Sequence, residues 1–198
     1  MNYLAHAYLS FNQPEVLVGN MISDFIKGKK QFDYPLPIQK GIQLHRAIDT
    51  FTDTHPVTKL LKSYFQVPYR LYSGAFADIV YDHFLAIDKT IFKTEENLHS
   101  FTQQVYFILE NNVSNLPDAF KNMLPYMKKQ NWLYHYQYKE GIQKSFGGLV
   151  RRAVYLTESD IAFALFNKNY KEMEDCYHNF FPHLHKFAAH KFKELLSC

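Results

Sequence analysis

Apolar positions along the chain recur at three- and four-residue intervals rather than alternating, which is the helical period. Seven Gly and eight Pro in 198 residues leave long uninterrupted segments between breakers. "PEVLVGNMISDFIKGK" opens at Pro14 and ends near Gly28, a plausible helix start and stop. The next segment begins after Pro35 and stops before Pro56, with Ile38, Ile42, Leu44, Ile48 and Phe51 on its inner face. Further helices are predicted over 56–65, 70–88, 94–112, 117–130, 137–156, 159–166, 168–181 and 182–196, with Pro117, Pro125 and Pro182 as starts or kinks. Gly147 and Gly148 inside "SFGGLVRR" predict a kink or a close helix crossing. No strand, repeat or linker pattern stands out. The expected fold class is all-α, a compact multi-helix bundle forming one domain over 1–198.

Composition changes this picture little. Hydrophobic content is 47% and charged content 21%, ordinary for a globular chain. Fifteen Tyr and 18 Phe point to a core of large rings. A net charge of +3 is too weak to argue for nucleic acid, though it suits an acidic partner or a phosphorylated ligand. Cys176 and Cys198 show no metal-site spacing and no disulfide framework, so a cytoplasmic protein is expected. No apolar run approaches the roughly 18 residues of a membrane span, and "MNYLAHAYLSF" lacks the basic start of a secretory signal.

Two of the predicted helices carry unusual polar groups. "GIQLHRAIDTFTDTH" sets His45, Asp49 and Asp53 four residues apart, on one face; "GAFADIVYDHFLA" does the same with Asp78 and Asp82. If the two faces meet, they make a cage of His and Asp ligands suited to Mn²⁺, Fe or Zn²⁺. Asp24 and His6, each in apolar surroundings, are further candidates. The chemistry of such a site is metal-assisted hydrolysis. Plainer readings stand beside it: Asp49 and Asp53 paired with Arg46, Lys40 or solvent, and His6 a core or capping residue. Asp82 and His83 are adjacent, so they point about 100° apart on a helix and cannot share a face equally. His178, His183, His185 and His190 are expected at the surface or in packing, since no two of them stand four residues apart.

The ordered set "NYLAHAYLS", "VGNMISDFIKG", "GIQLHRAIDTFTDTHP", Arg70 and "GAFADIVYDHFLA" resembles the acyl carrier protein phosphodiesterases. A weaker likeness continues through "NWLYHY", "GIQKSFGGLVRR" and "NFFPHLHKF". The resemblance implies an α-helical fold distantly similar to HD phosphohydrolases. It also implies a metal-dependent enzyme, typically with Mn²⁺, that cleaves 4′-phosphopantetheine from a serine of acyl carrier protein. The chain departs from the pattern at Lys62 and Lys89, and it carries Asp82-His83 in place of an HD dipeptide. On this basis Asp24, His45, Asp78 and Asp82 are the expected metal set, with His6 a further ligand or a support. Asp49 is expected to orient His45 or activate water, His83 to protonate the leaving oxygen, and Arg46 and Lys27 to neutralise phosphoryl charge. Lys27, Lys29, Lys30, Lys59, Lys62 and Arg70 would meet the acidic carrier protein, unless they are ordinary solubilising charge. The rivals are a metal phosphohydrolase acting on a nucleotide or other small phosphodiester, and a non-catalytic helical module that binds an acidic partner.

Overall fold

The computed structural model describes residues 1–197, all helix and connecting turns, with no strand among them. In chain order the α-helices are α1 (Tyr3–Tyr8), α2 (Pro14–Ile22), α3 (Leu36–Thr54), α4 (Pro56–Tyr69), α5 (Ser73–Ile87), α6 (Glu95–Asn111), α7 (Asp118–Lys129), α8 (Trp132–His135), α9 (Lys139–Arg152), α10 (Asp160–Lys168) and α11 (Tyr170–Ser197). Local sequence explains most boundaries. Pro sits in the first turn of α2, α3 and α4, where its missing N–H costs nothing. Thr94 and Asn97 close a reciprocal capping box at the start of α6.

The core is built from rings, as the composition implies. Phe65 of α4 stacks on Phe76 of α5 at 5.6 Å, and Phe146 of α9 meets Phe76 edge-on at 5.1 Å. Tyr81 of α5 stacks on Phe180 of α11 at 4.6 Å. Each of these rings is fully buried, and such burial contributes about 1.5–3 kcal/mol per side chain.

Two expectations need correction. The close crossing is not at Gly147 and Gly148, where an added Cβ would meet only Arg151 and Ser159 side-chain atoms at 3.6 Å or more. It lies between α2 and α3: a Cβ on Gly19 would run into the carbonyl oxygen of Ile38, and one on Gly41 into that of Val16. Pro182 does not divide the last helix. α11 runs unbroken from Tyr170 to Ser197, because Phe180, Phe181, Leu184 and Ala188 bury one continuous stripe on both sides of the proline. Helix α1, not foreseen, is only six residues long and gains its stability from outside its own sequence. Cys176 is buried on α11 and unbridged; Cys198 lies outside the described residues.

Candidate metal centre

The backbone contact at Gly19 and Gly41 places the next residue of α2, Asn20, against the next turn of α3, which carries His45. Asn20 is fully buried and serves two histidines at once. Its side-chain oxygen lies 2.8 Å from His6 Nδ1, and its main-chain oxygen 2.7 Å from His45 Nδ1. The Asn20 amide donates to the His6 carbonyl and to Ser10 Oγ, which fixes its orientation. Both oxygens can only accept, so both imidazoles donate through Nδ1 and turn Nε2 the other way. The two rings stack at 3.8 Å with 14° between their planes.

The Nε2 atoms face carboxylates. His45 Nε2 is 3.0 Å from Asp49 Oδ2 and 3.1 Å from Asp24 Oδ1; His6 Nε2 is 3.2 Å from Asp49 Oδ1. Burial would depress the His45 imidazole, but its hydrogen bonds to Asp24 and Asp49 raise it to about 9. Burial and the His45 charge push His6 down to about 4, so at neutral pH its Nε2 is a bare lone pair. That atom is buried with no hydrogen-bond partner. Burial works to raise Asp49, but the hydrogen bond from His45 and the charge of the Met1 amino group hold it far below the usual carboxylate range. His45 likewise lowers Asp24.

Ligand atoms of His6, His45 and Asp49 all lie within 4.8 Å of one another. A bare imidazole nitrogen facing a carboxylate oxygen is two acceptors without a donor, an arrangement a cation resolves. Once the His45 proton is displaced, two imidazole nitrogens with carboxylate oxygens fit a divalent ion of the Mn²⁺, Fe²⁺ or Zn²⁺ kind. Asp24, whose side chain is 69% exposed, reaches the cluster through His45. Asp78 stands beside it on α5, its Oδ1 3.1 Å from the Met1 amino nitrogen, which also lies 3.3 Å from Asp49 Oδ1. Burial would depress that amino group, but Asp78 and Asp49 raise it to about 10. Burial raises the Asp78 carboxyl.

Asp82 is not in the cluster. Its side chain is fully buried one turn beyond Asp78, and it accepts the N–H groups of Leu4 (2.7 Å) and Ala5 (3.2 Å), capping α1. Burial pushes it up to about 7, against those two hydrogen bonds. His83 points elsewhere again. Its Nδ1 donates to the Tyr136 carbonyl at 2.7 Å, its Nε2 meets the Tyr170 hydroxyl at 2.8 Å, and burial lowers it to about 4. Arg46 spends its fork on Gln31 Oε1 (2.8 Å) and the Ile26 carbonyl (3.0 Å), bracing the turn that follows Asp24. Lys27 is exposed on that turn. Asp53 continues the α3 series outward to a surface pair with Lys62 at 2.6 Å. The C-terminal histidines form no metal-type group among the described residues; His183 meets His55, and His185 packs on Tyr8 and Phe11. Asn20 escaped the sequence reading because it is not a ligand type; its one signal is an amide between Val18 and Met21.

No solved structure matches the chain. A protein of Yersinia pestis described as acyl carrier protein phosphodiesterase is 31% identical over 191 residues, 96% of this chain and 99% of its own. Proteins of the same description from Photorhabdus laumondii and Klebsiella pneumoniae are 28% and 30% identical, each over 96% of this chain. The profile of the family described as acyl carrier protein phosphodiesterase matches residues 1–184, so the chain belongs to that family.

Proposed function

We propose that the chain is a divalent-metal phosphodiesterase that hydrolyses 4′-phosphopantetheine from the serine of holo-acyl carrier protein, leaving the apo form. The substrate class rests on the family and on the description its relatives carry. The observation that carries the metal is the unpartnered, buried Nε2 of His6, aimed at Asp49 beside His45. In this reading His6, His45 and Asp49 hold the ion, with Asp24 as a further ligand. Mn²⁺ is the expected ion. When bound it supplies Lewis-acid polarisation of a phosphoryl oxygen and a lowered pKa for water.

The residues do the rest. Asn20 keeps both histidines in the tautomer that presents Nε2. Asp24, exposed and kept ionised by His45, orients the attacking water. Water attacks phosphorus and the bond to the serine oxygen breaks. The proton the water loses passes to that oxygen, giving the serine hydroxyl, while Asp78 holds the Met1 amino group beside the cluster. Asp82 and His83 act through structure, by capping α1 and tying α5 to Tyr136 and Tyr170.

Mass spectrometry of holo-acyl carrier protein incubated with the protein and Mn²⁺ tests the whole reading. Loss of the phosphopantetheine mass, blocked by chelator, is expected. An intact carrier protein beside rapid cleavage of nucleotides or an aryl phosphodiester would move the substrate assignment. Absence of any metal-dependent cleavage would leave a binding module.

A further inference from the structure

Beside the cluster lies a cleft of about 250 Å³, reached from it through Asp24 and Met1, whose walls also include Tyr3, Asp78, Leu149 and Arg152. Asp24 and Asp78 make this wall acidic. An anionic diester entering here needs a cation for the phosphoryl oxygens that face away from the ion, and the two cations expected from the sequence do not supply it. Arg46 is spent on Gln31 and Ile26, and Lys27 is not on the cleft wall. Arg152 is on the wall, and no ion pair among the described residues involves it. Its charge acts on the Tyr3 hydroxyl, opposing the burial that raises that group to about 12.

Arg152 is the exposed last residue of α9, a helix fixed by its earlier turns. Phe146 packs on Phe65, Phe76 and Phe166, and a Cβ on Gly141 would run into the His135 carbonyl, so the helix has little room to shift. Its last residue therefore brings a planar fork of donors to the cleft that Asp24 and Asp78 also line. Such a fork matches two oxygens of a phosphoryl group.

We propose that Arg152 is the phosphoryl-binding residue of this cleft, donating to the non-bridging oxygens of an anionic phosphodiester. The proposal rests on the phosphodiesterase reading and adds to it the residue that seats the reacting group. A plainer role exists for a cation in the last turn of a helix, namely to complement the helix dipole. Arg151 shares that turn and does not line the cleft, so it is the control.

The test pairs kinetics with binding of inorganic phosphate to the Mn²⁺-loaded protein by calorimetry. Arg152→Ala is expected to lose phosphate affinity by roughly tenfold or more and kcat/KM on holo-acyl carrier protein by about 100-fold. Mn²⁺ affinity and Tm stay at the wild-type values. Arg152→Lys recovers part of the phosphate affinity, and added guanidinium ion restores part of the Arg152→Ala rate. Arg151→Ala changes neither. Wild-type phosphate affinity in Arg152→Ala, an equal loss in Arg151→Ala, or no phosphate binding by the wild type each overturns the assignment. If even the wild type leaves carrier protein intact, the substrate reading fails, while the phosphate titrations still decide Arg152.

Discussion

At the scale of single residues, the site depends on which atom of each side chain is already engaged. Asn20 and Asp82 show this best. Asn20→Ala removes the acceptor for His6 Nδ1 but leaves the main-chain acceptor for His45. His6 alone should then lose its fixed tautomer, which ¹⁵N chemical shifts of the histidine rings in the metal-free protein would report. Mn²⁺ affinity should drop by about 10- to 100-fold, the usual effect of losing a group that orients a ligand. Unchanged His6 shifts would refute the role given to Asn20. Asp82→Ala makes the opposite kind of change. It strips two backbone N–H groups of their buried acceptor and should cost about 1–3 kcal/mol of stability in urea unfolding. A variant as stable as wild type but with weakened Mn²⁺ binding would restore Asp82 to the ligand set. The sequence could not separate Asp78 from Asp82, since a four-residue interval puts both on one face of α5. What separates them is the end of α1 docking on Asp82 across 78 positions of chain.

Elements bring these residues together through one contact. The crossing of α2 over α3 is a backbone approach at Gly19 and Gly41, one residue before Asn20 and one turn before His45. Gly41→Ala should force the helices apart and cost roughly 1–3 kcal/mol. It should also lengthen the bond from Asn20 to His45, so metal affinity falls in step with Tm. By contrast, Gly147→Ala, on α9 where the added Cβ makes only ordinary van der Waals contact, should be neutral or slightly stabilising through helix propensity. Equal unfolding midpoints for the two variants would remove the crossing as the determinant. Helix periods, prolines and caps made most element spans legible in the sequence. Glycine pairs were misread, because a glycine required by a helix crossing and one that merely occupies a helix look the same until the partner helix is known. Pro182 was misread likewise: local chemistry favours a break there, and a continuous buried stripe on α11 overrides it.

For the whole molecule, the cluster links stability, pH and metal through His45. Its folded pKa, about 9, lies above the ordinary 6.5. The metal-free protein therefore gains from the His45 pair fully below pH 6.5 and loses that gain as pH rises through 9. Asp24 and Asp49 are depressed, so their contribution is present above the ordinary carboxylate value of 3.8 and is lost as pH falls below it. His6, lowered to about 4, adds to the loss on the acid side, because unfolding lets it take up a proton from pH 6.5 downward. A divalent ion changes the alkaline side only, since it must displace the His45 proton to bind Nε2. At pH 7 His45 is almost fully protonated and His6 is not, so binding should release close to one proton. Calorimetry of Mn²⁺ binding in two buffers of different ionisation heat measures that number directly. The rise in stability from Mn²⁺ should grow between pH 6 and 9, reaching about 2.7 kcal/mol when free ion stands at 100 times its dissociation constant. Binding with no proton release, together with a Tm gain that does not vary with pH, would show that the ion sits away from His45. It would also undo the reading of two acceptors waiting for a cation.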